Sequence, residues 1–272
     1  MNPMTSESTG GDWPRIFSLQ GKVALITGAA GGFGSAVARG FAQAGADLVL
    51  TDKNAEGLRQ LADGLAPLSR RICARELDIM DESEIGRVMG EAESGMGRID
   101  VLVHIGGEGR LAPVAEMTTE DFDFNISSHL RGTFLVARAV GNHMRKAGGG
   151  SMVLMSSVAS FCALGRGTGA YAAAKAGVNA LVRELAVEWA PDGIRVNAVA
   201  PCQFRTIGLR NMLRDPKFGQ PGELERKMVS AIPIGRLGEP EEMVGPCLFL
   251  ASEAASMVTG QVLLVDGGYT IR

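Results

Sequence analysis

KVALITGAAGGFGSAVARGFAQAGADLVLTD runs from Lys22 to Asp52, and its reading decides the fold. The β-rich VALIT (23–27) leads without a break into the glycine-rich TGAAGGFG (27–34). A helical pattern, SAVARGFAQAGA, follows, and a second β-rich run, DLVLT (47–51), ends beside Asp52. Strand, glycine turn, helix and strand in this order open a dinucleotide-binding unit. Glycines at such a turn let the main chain approach a pyrophosphate, whose charge is favoured by helix N-terminal amides. Tight strand-to-helix turns also use glycine for steric reasons alone, so the cluster by itself is weak. Asp52, eighteen residues beyond Gly34, strengthens it. Its carboxylate is placed to accept hydrogen bonds from ribose hydroxyls and to repel a 2′-phosphate. No lysine or arginine lies inside the turn, so NAD is expected over NADP, with Lys53 directly after Asp52 as the residue opposing that expectation.

Beyond Asp52 the alternation continues. RICARELD (71–78), IDVLVH (99–104), SMVLMS (151–156), IRVNAVA (194–200) and VLLVD (262–266) are β-rich and separated by longer helical stretches. Several of these runs are apolar throughout, as expected where helices cover both sheet faces. The pattern predicts an α/β fold, a Rossmann-type doubly wound parallel seven-stranded sheet with helices on both faces. Residues 1–18 read as a flexible polar tail, and 19–272 as a single catalytic domain without a linker or repeat. The rhythm breaks at CQFRTIGLRNMLRDPKFGQPGELERKMVSAIP (202–233). Such an excursion is either a lid over a site or an extra helical pair packed on the body.

Composition narrows the partners. The 272 residues are 46% hydrophobic, enough for a large core, and the net charge of −3 leaves no footprint for nucleic acid. The start, MNPMTSESTGGDWPRIFS, lacks the basic and apolar regions of a secretory signal. No apolar run approaches the roughly 20 residues that cross a bilayer. A soluble cytoplasmic protein without membrane contact is expected. Cys73, Cys162, Cys202 and Cys247 are too scattered for a zinc motif or disulfide framework, so free thiols and no metal are expected.

One further stretch carries chemistry. GAYAAAKAGV (169–178) holds one of only two tyrosines and one of six lysines among small residues. On a helix, Tyr171 and Lys175 are neighbours at i and i+4. A cation beside a phenol favours its ionised form, which would bring Tyr171 toward proton exchange near neutral pH. A surface tyrosine beside a surface lysine is the plainer alternative, but the alanine-rich flanks favour close packing. Ser156 and Ser157 end the fifth strand, at the carboxyl edge where open α/β sheets bind ligands.

Together these residues resemble the short-chain dehydrogenase/reductase family, from Leu19 to Tyr269. The resemblance rests on TGAAGGFG, YAAAK, LD (77–78), RVNAVAP (195–201), GRLGEPEE (235–242), FLASEAASMVTG (249–260) and VDGG (265–268). It implies the strand order 3-2-1-4-5-6-7, a small alcohol or ketone substrate and a homotetramer. It also implies roles. Tyr171 becomes the general acid/base, Lys175 the group that lowers its pKa and holds the nicotinamide ribose, and Ser157 the partner of the substrate oxygen. Gly28, Gly32, Phe33 and Gly34 would form the pyrophosphate turn. Asp52 would bind the adenosine ribose, Asp78 and Ile79 would lie near the adenine, Gly106 would border the cofactor, and Thr206 would meet the nicotinamide amide.

Four places depart from the family. Asn-Asn-Ala-Gly after the fourth strand is His104-Ile105-Gly106-Gly107, and Pro-Gly after the sixth strand is Pro201-Cys202. The catalytic asparagine position, in SSHLRGTF, is His129, and the Ser157–Tyr171 spacing is one residue longer than usual. The two histidines are expected to be neighbours. Three readings stay open for His129: an imidazole that takes over proton relay, a residue that matters through its backbone carbonyl, or impaired catalysis. A metal held by His104 and His129 is not expected, since no carboxylate or thiol joins them.

The function expected is an NAD(H)-dependent dehydrogenase of polyols or sugar acids. A 3-oxoacyl-carrier-protein reductase and a non-catalytic NAD-sensing homologue are the alternatives. Arg205, Arg210 and Arg214 in the 202–233 excursion either meet a substrate carboxylate or form a solvated helix face.

Overall fold

The computed structural model describes residues 15–68, 70–214 and 222–272. Seven strands form one parallel sheet: β1 (Val23–Thr27), β2 (Asp47–Asp52), β3 (Ile72–Glu76), β4 (Val101–His104), β5 (Gly150–Met155), β6 (Ile194–Pro201) and β7 (Val262–Val265). Their order is β3-β2-β1-β4-β5-β6-β7, as the resemblance implies. Each strand lies within two residues of its expected bounds.

Alternate side chains along each strand feed opposite faces of the sheet. Val23 and Leu25 of β1, Val49 of β2, Leu102 of β4 and Met152 of β5 point to one core. That core is completed by α3 (Glu82–Met96), α5 (Gly132–Ala147) and α6 (Gly169–Trp189). Ala24, Ile26, Leu48, Leu50, Val103 and Val153 point to the other, beneath α1 (Gly32–Gln43), α2 (Ala55–Leu65) and α9 (Val244–Ala251). This two-sided burial is why β1 reads as an unbroken apolar run, since all five of its residues are buried. Helix starts are marked by side chains that satisfy free amides. Asn54 caps α2 by accepting from the Gly57 amide, and Asp81 caps α3 by accepting from Ser83 and Glu84.

The run from α4 (Thr119–Ile126) to α5 is not regular. Ser127–Arg131 between them is π-helical, and the Gly132 amide bonds back to the Ser127 carbonyl. The small residues of α6 make room for this bulge: a Cβ on Gly177 would come within 2.8 Å of Leu130 Cδ2. Such single-turn π segments recur at functional sites.

In the 202–233 excursion the described parts are two short helices, α7 (Ile207–Arg214) and α8 (Glu223–Ser230). Met228, Ile232 and Leu237 are buried there against Leu209, Met212 and Leu213. Of the expected tail, residues 1–14 lie outside the described residues; Arg15–Phe17 form a short 3₁₀ turn and Leu19 is buried. Among the described residues, no helix is long and apolar enough to cross a membrane. The four cysteines are unbridged, Cys73 and Cys247 being buried.

Candidate active site

All seven strands run in one direction, so their carboxyl ends share one edge of the sheet, and the predicted site residues gather there. Gly28, Gly32, Phe33, Asp52, Asp78, Ile79, Gly106 and Thr206 line one cleft of about 480 Å³. Gly34 lies just beneath its floor and is buried.

The glycines fit a closely approaching ligand backbone. A Cβ on Gly34 would sit 2.0 Å from the Gly28 carbonyl oxygen, so no larger residue is accommodated without moving main chain. Gly28 has φ +64°, and a Cβ there would press to 3.1 Å from the Gly106 amide nitrogen. Gly32 faces Thr206 across the cleft, its Cβ position 3.4 Å from Thr206 Cγ2. Gly31 caps α1 without a side chain, which leaves the first amides of the helix facing the cleft floor. A dinucleotide pyrophosphate fits this turn.

Asp52 is held by two amides. One oxygen accepts from Ala30 at 3.0 Å and the other from Asn54 at 2.9 Å. Lys53 is turned into an ion pair with Glu108 across the mouth of the cleft. Asp78 accepts from the Met80 amide at 2.8 Å, and Ile79 packs under Gly106 and Gly132.

Ser157, Tyr171, Lys175 and His129 form a second group, joined to the cleft through Gly107 and Ser128. Tyr171 is half-buried and lies beside Ser157, which is buried at the end of β5 and lowers the phenol's pKa. Lys175, 3% exposed, donates to the Met155 carbonyl at 2.7 Å and stands 5.8 Å from the centre of the Tyr171 ring. The imidazole of His129 meets the tyrosine edge-on, centroids 4.8 Å apart and planes at 84°. Gly107 (φ +133°) lies on the His129 ring, where a Cβ would approach Nδ1 to 2.4 Å.

His104 joins from the end of β4. Thr27 Oγ1 accepts from the Ile105 and Gly106 amides at 3.2 and 3.4 Å, which leaves its single proton for His104 Nδ1 at 2.8 Å. That arrangement puts the imidazole proton of His104 on Nε2. His104 Nε2 and both ring nitrogens of His129 are buried without a hydrogen-bond partner among the described residues. Burial and the charge of Lys175 push His104 down to about 3; the same causes, with His104 itself, push His129 down to about 2. Both rings are therefore neutral at physiological pH, and the expected proximity of the two histidines is realised.

One expectation is reversed. Lys175 does not pull the Tyr171 phenol toward neutrality here. Burial raises Tyr171, which Ser157 partly offsets, and burial lowers Lys175 itself to about 7. Withdrawal from water outweighs the neighbouring cation because the ammonium is aimed at Met155 rather than at the phenolic oxygen.

Other partners had weak signals in the sequence. Asn179, four residues after Lys175 and so on its helix face, accepts from Ser156 Oγ at 2.5 Å and donates to Ser160 Oγ at 2.8 Å. This braces the turn that carries Ser157. Asn125, fully buried, holds the 107–117 loop by donating to the Arg110 carbonyl at 2.9 Å. Of the arginines in the excursion, Arg205 is committed to Glu225 at 2.9 Å and Glu239 at 3.1 Å, and Arg210 donates to the Arg205 carbonyl.

A glycine-lined cleft beside a Ser–Tyr–Lys group, at the carboxyl edge of a doubly wound sheet, fits a nicotinamide-type oxidoreductase. The family model described as enoyl-(acyl carrier protein) reductase matches residues 28–270, most of the chain. Among curated proteins, the chain is 40% identical to the D-threitol dehydrogenase of Mycolicibacterium smegmatis, over 94% of this chain and 95% of that one. It is 39% identical to an NAD-dependent glycerol dehydrogenase of Listeria innocua, over 94% and 96%. Among solved structures it resembles a gluconate 5-dehydrogenase from Burkholderia cenocepacia in complex with NADP and tartrate. That match has a TM-score of 0.88 at 34% identity and covers 96% of this chain and 99% of the other. The chain belongs to the short-chain dehydrogenase/reductase family.

Proposed function

We propose that this chain interconverts a secondary alcohol of polyol or sugar-acid type and its ketone with NAD(H). The observation that carries the reading is Tyr171, half-buried between Ser157 and His129 with Lys175 one turn on, beside the glycine-lined cleft. A nicotinamide dinucleotide in that cleft would exchange a hydride with the carbinol carbon. Gly28, Gly32, Phe33 and Gly34 would hold its pyrophosphate, Asp52 its adenosine ribose, Asp78 and Ile79 its adenine edge, and Gly106 and Thr206 its nicotinamide half. Lys175 would hold its second ribose. Ser157 orients the substrate oxygen, and Tyr171 gives or takes its proton.

Asp52 supports NAD, since its carboxylate would repel a 2′-phosphate and the lysine that follows it in sequence, Lys53, is engaged by Glu108. The glycerol dehydrogenase relative is named as NAD-dependent, whereas the gluconate 5-dehydrogenase structure holds NADP. The two excursion helices, α7 and α8, are proposed as the lid. A homotetramer is proposed on the exposed Val187 of α6 and the open edge of β7, where Leu263 is exposed; sedimentation as a monomer would overturn that assembly.

The test is NADH formation across polyols, sugar acids and secondary alcohols, with NADP in parallel. Turnover of a polyol or sugar acid with NAD supports the reading. Turnover confined to 3-oxoacyl thioesters moves the chain to 3-oxoacyl reduction, a reaction distinct from the enoyl reduction in the family model's description. Silence in both directions with tight NADH binding leaves a cofactor-binding protein without chemistry.

His129 is assigned to positioning: a neutral ring that fixes Tyr171 by edge-on contact. Its carbonyl already accepts from Thr133 Oγ1 at 2.6 Å. His129→Asn is expected to retain turnover within about tenfold, a change of roughly 1.4 kcal/mol in the barrier. A folded but dead His129→Asn variant would instead establish a specific role for the imidazole.

A further inference from the structure

We propose that Arg166 is the carboxylate anchor of the substrate site, so that the chain takes polyhydroxy acids in preference to neutral polyols. This rests on the alcohol-dehydrogenase reading and names its substrate class.

Two arginines among the described residues are drawn down by burial, Arg195 and Arg166. Arg195 is satisfied: its guanidinium donates to the carbonyls of Leu250, Val258 and Ser252. Arg166 is half-buried and makes no hydrogen bond or ion pair with any described residue. A guanidinium stays charged in proteins, so partial withdrawal from water without a partner carries a desolvation cost that an anionic ligand would offset.

Its position suits that ligand. Arg166 lies five residues before Tyr171, in the loop joining β5 to α6. It is flanked by Gly165 and Gly167, both left-handed with φ +64° and +71°, which bend the chain on either side of it. The Gly167 carbonyl accepts from the Ala112 amide at 3.2 Å, and a Cβ on Gly167 would meet the Ala112 carbonyl carbon at 2.6 Å. The loop carrying Arg166 is thus locked to the 107–117 loop, whose Gly109 packs on Tyr171. From the other side, Tyr269 in the C-terminal turn is near enough to act on the Arg166 charge. Tyr269 in turn packs on the cluster formed by α7 and α8. The loop carrying this unpaired cation therefore lies against the loop that borders Tyr171, with the C-terminal turn within electrostatic reach. Of the three arginines that the sequence offered for this task, Arg205 is tied to two glutamates, Arg210 donates to the Arg205 carbonyl, and Arg214 is exposed to water. None of them combines burial with the lack of a partner as Arg166 does. An arginine fork binds a carboxylate through two parallel hydrogen bonds and discriminates against a hydroxymethyl group at the same place.

The experiment is calorimetric titration of D-gluconate and of sorbitol, a neutral polyol of the same length, into the chain with NADH present. Wild type, Arg166→Gln and Arg166→Lys are compared, with thermal unfolding of each variant as the check on folding. Wild type is expected to bind gluconate about 30-fold more tightly than sorbitol, and Arg166→Gln to bring that ratio near unity, with partial recovery in Arg166→Lys. A gluconate preference that is absent in wild type, or unchanged in a folded Arg166→Gln variant, overturns the anchor. The two proposals fail separately. A preference lost in Arg166→Gln without turnover of any alcohol keeps the anchor and removes the dehydrogenase. Turnover of sorbitol without a gluconate preference does the reverse.

Discussion

Tyr171→Phe is expected to lower turnover about a thousandfold while NADH still binds, because a positioned acid–base group contributes roughly 10²–10⁴ to such a reaction. The change removes one oxygen and keeps the ring that packs edge-on against His129, so the surrounding structure has no reason to move. Direction adds a second readout. Burial raises the Tyr171 phenol, and Ser157 only partly offsets it, so the unliganded chain presents a proton donor at neutral pH. Ketone reduction uses that form directly. Alcohol oxidation needs the phenolate, and its rate in wild type is expected to climb toward alkaline pH. Stopped assays of both directions from pH 6 to 10, with NADH fluorescence as the binding control, check the two statements together. A Tyr171→Phe variant within tenfold of wild type would remove the phenol from the chemistry.

What could be read in the sequence was local. The strand–glycine–helix opening is written in contiguous residues, and so is the carboxylate that ends β2. Tyr171 and Lys175 are adjacent because a helix places i and i+4 on one face. The strand order and the roles at Ser157 and Thr206 came from resemblance, since crossovers leave no mark in composition. Three features needed the folded chain. The π-helical segment depends on Leu130 seating over Gly177, a contact between residues 47 apart. The direction of the Tyr171 and Lys175 shifts depends on burial, which the i, i+4 spacing does not report. Which arginine is free is a question of tertiary pairing: Glu225 and Glu239 take Arg205, and Arg166 has no such partner among the described residues.

The departures at His104 and His129 lead to the other large effect, on stability. Both imidazoles are buried and neutral in the folded chain, lowered to about 3 and about 2, and both titrate near 6.5 when unfolded. Their folded values are depressed, so no penalty exists well above pH 6.5. As pH falls below it, the unfolded chain binds two protons that the folded chain refuses, and stability drops through the window from 6.5 toward 3. From pH 7 to pH 5 the two groups together take away about 4 kcal/mol, each following the linkage slope of about 1.4 kcal/mol per pH unit once below its unfolded pKa. Other shifted groups lie outside that interval. Lys175 is lowered to about 7, so its titration difference falls between 7 and its unfolded value near 10.5. Asp47, Asp121 and Glu242 have depressed carboxyls, whose contributions are lost only as pH falls through the carboxylate range. Urea unfolding at pH 7 and pH 5 measures the effect. The double variant His104→Asn, His129→Asn, which restores the family's residues at both positions, is expected to lose far less. Equal losses in the two proteins would mean that the buried imidazoles are protonated in the folded state, which the packing of His129 under Gly107 and beside Lys175 opposes.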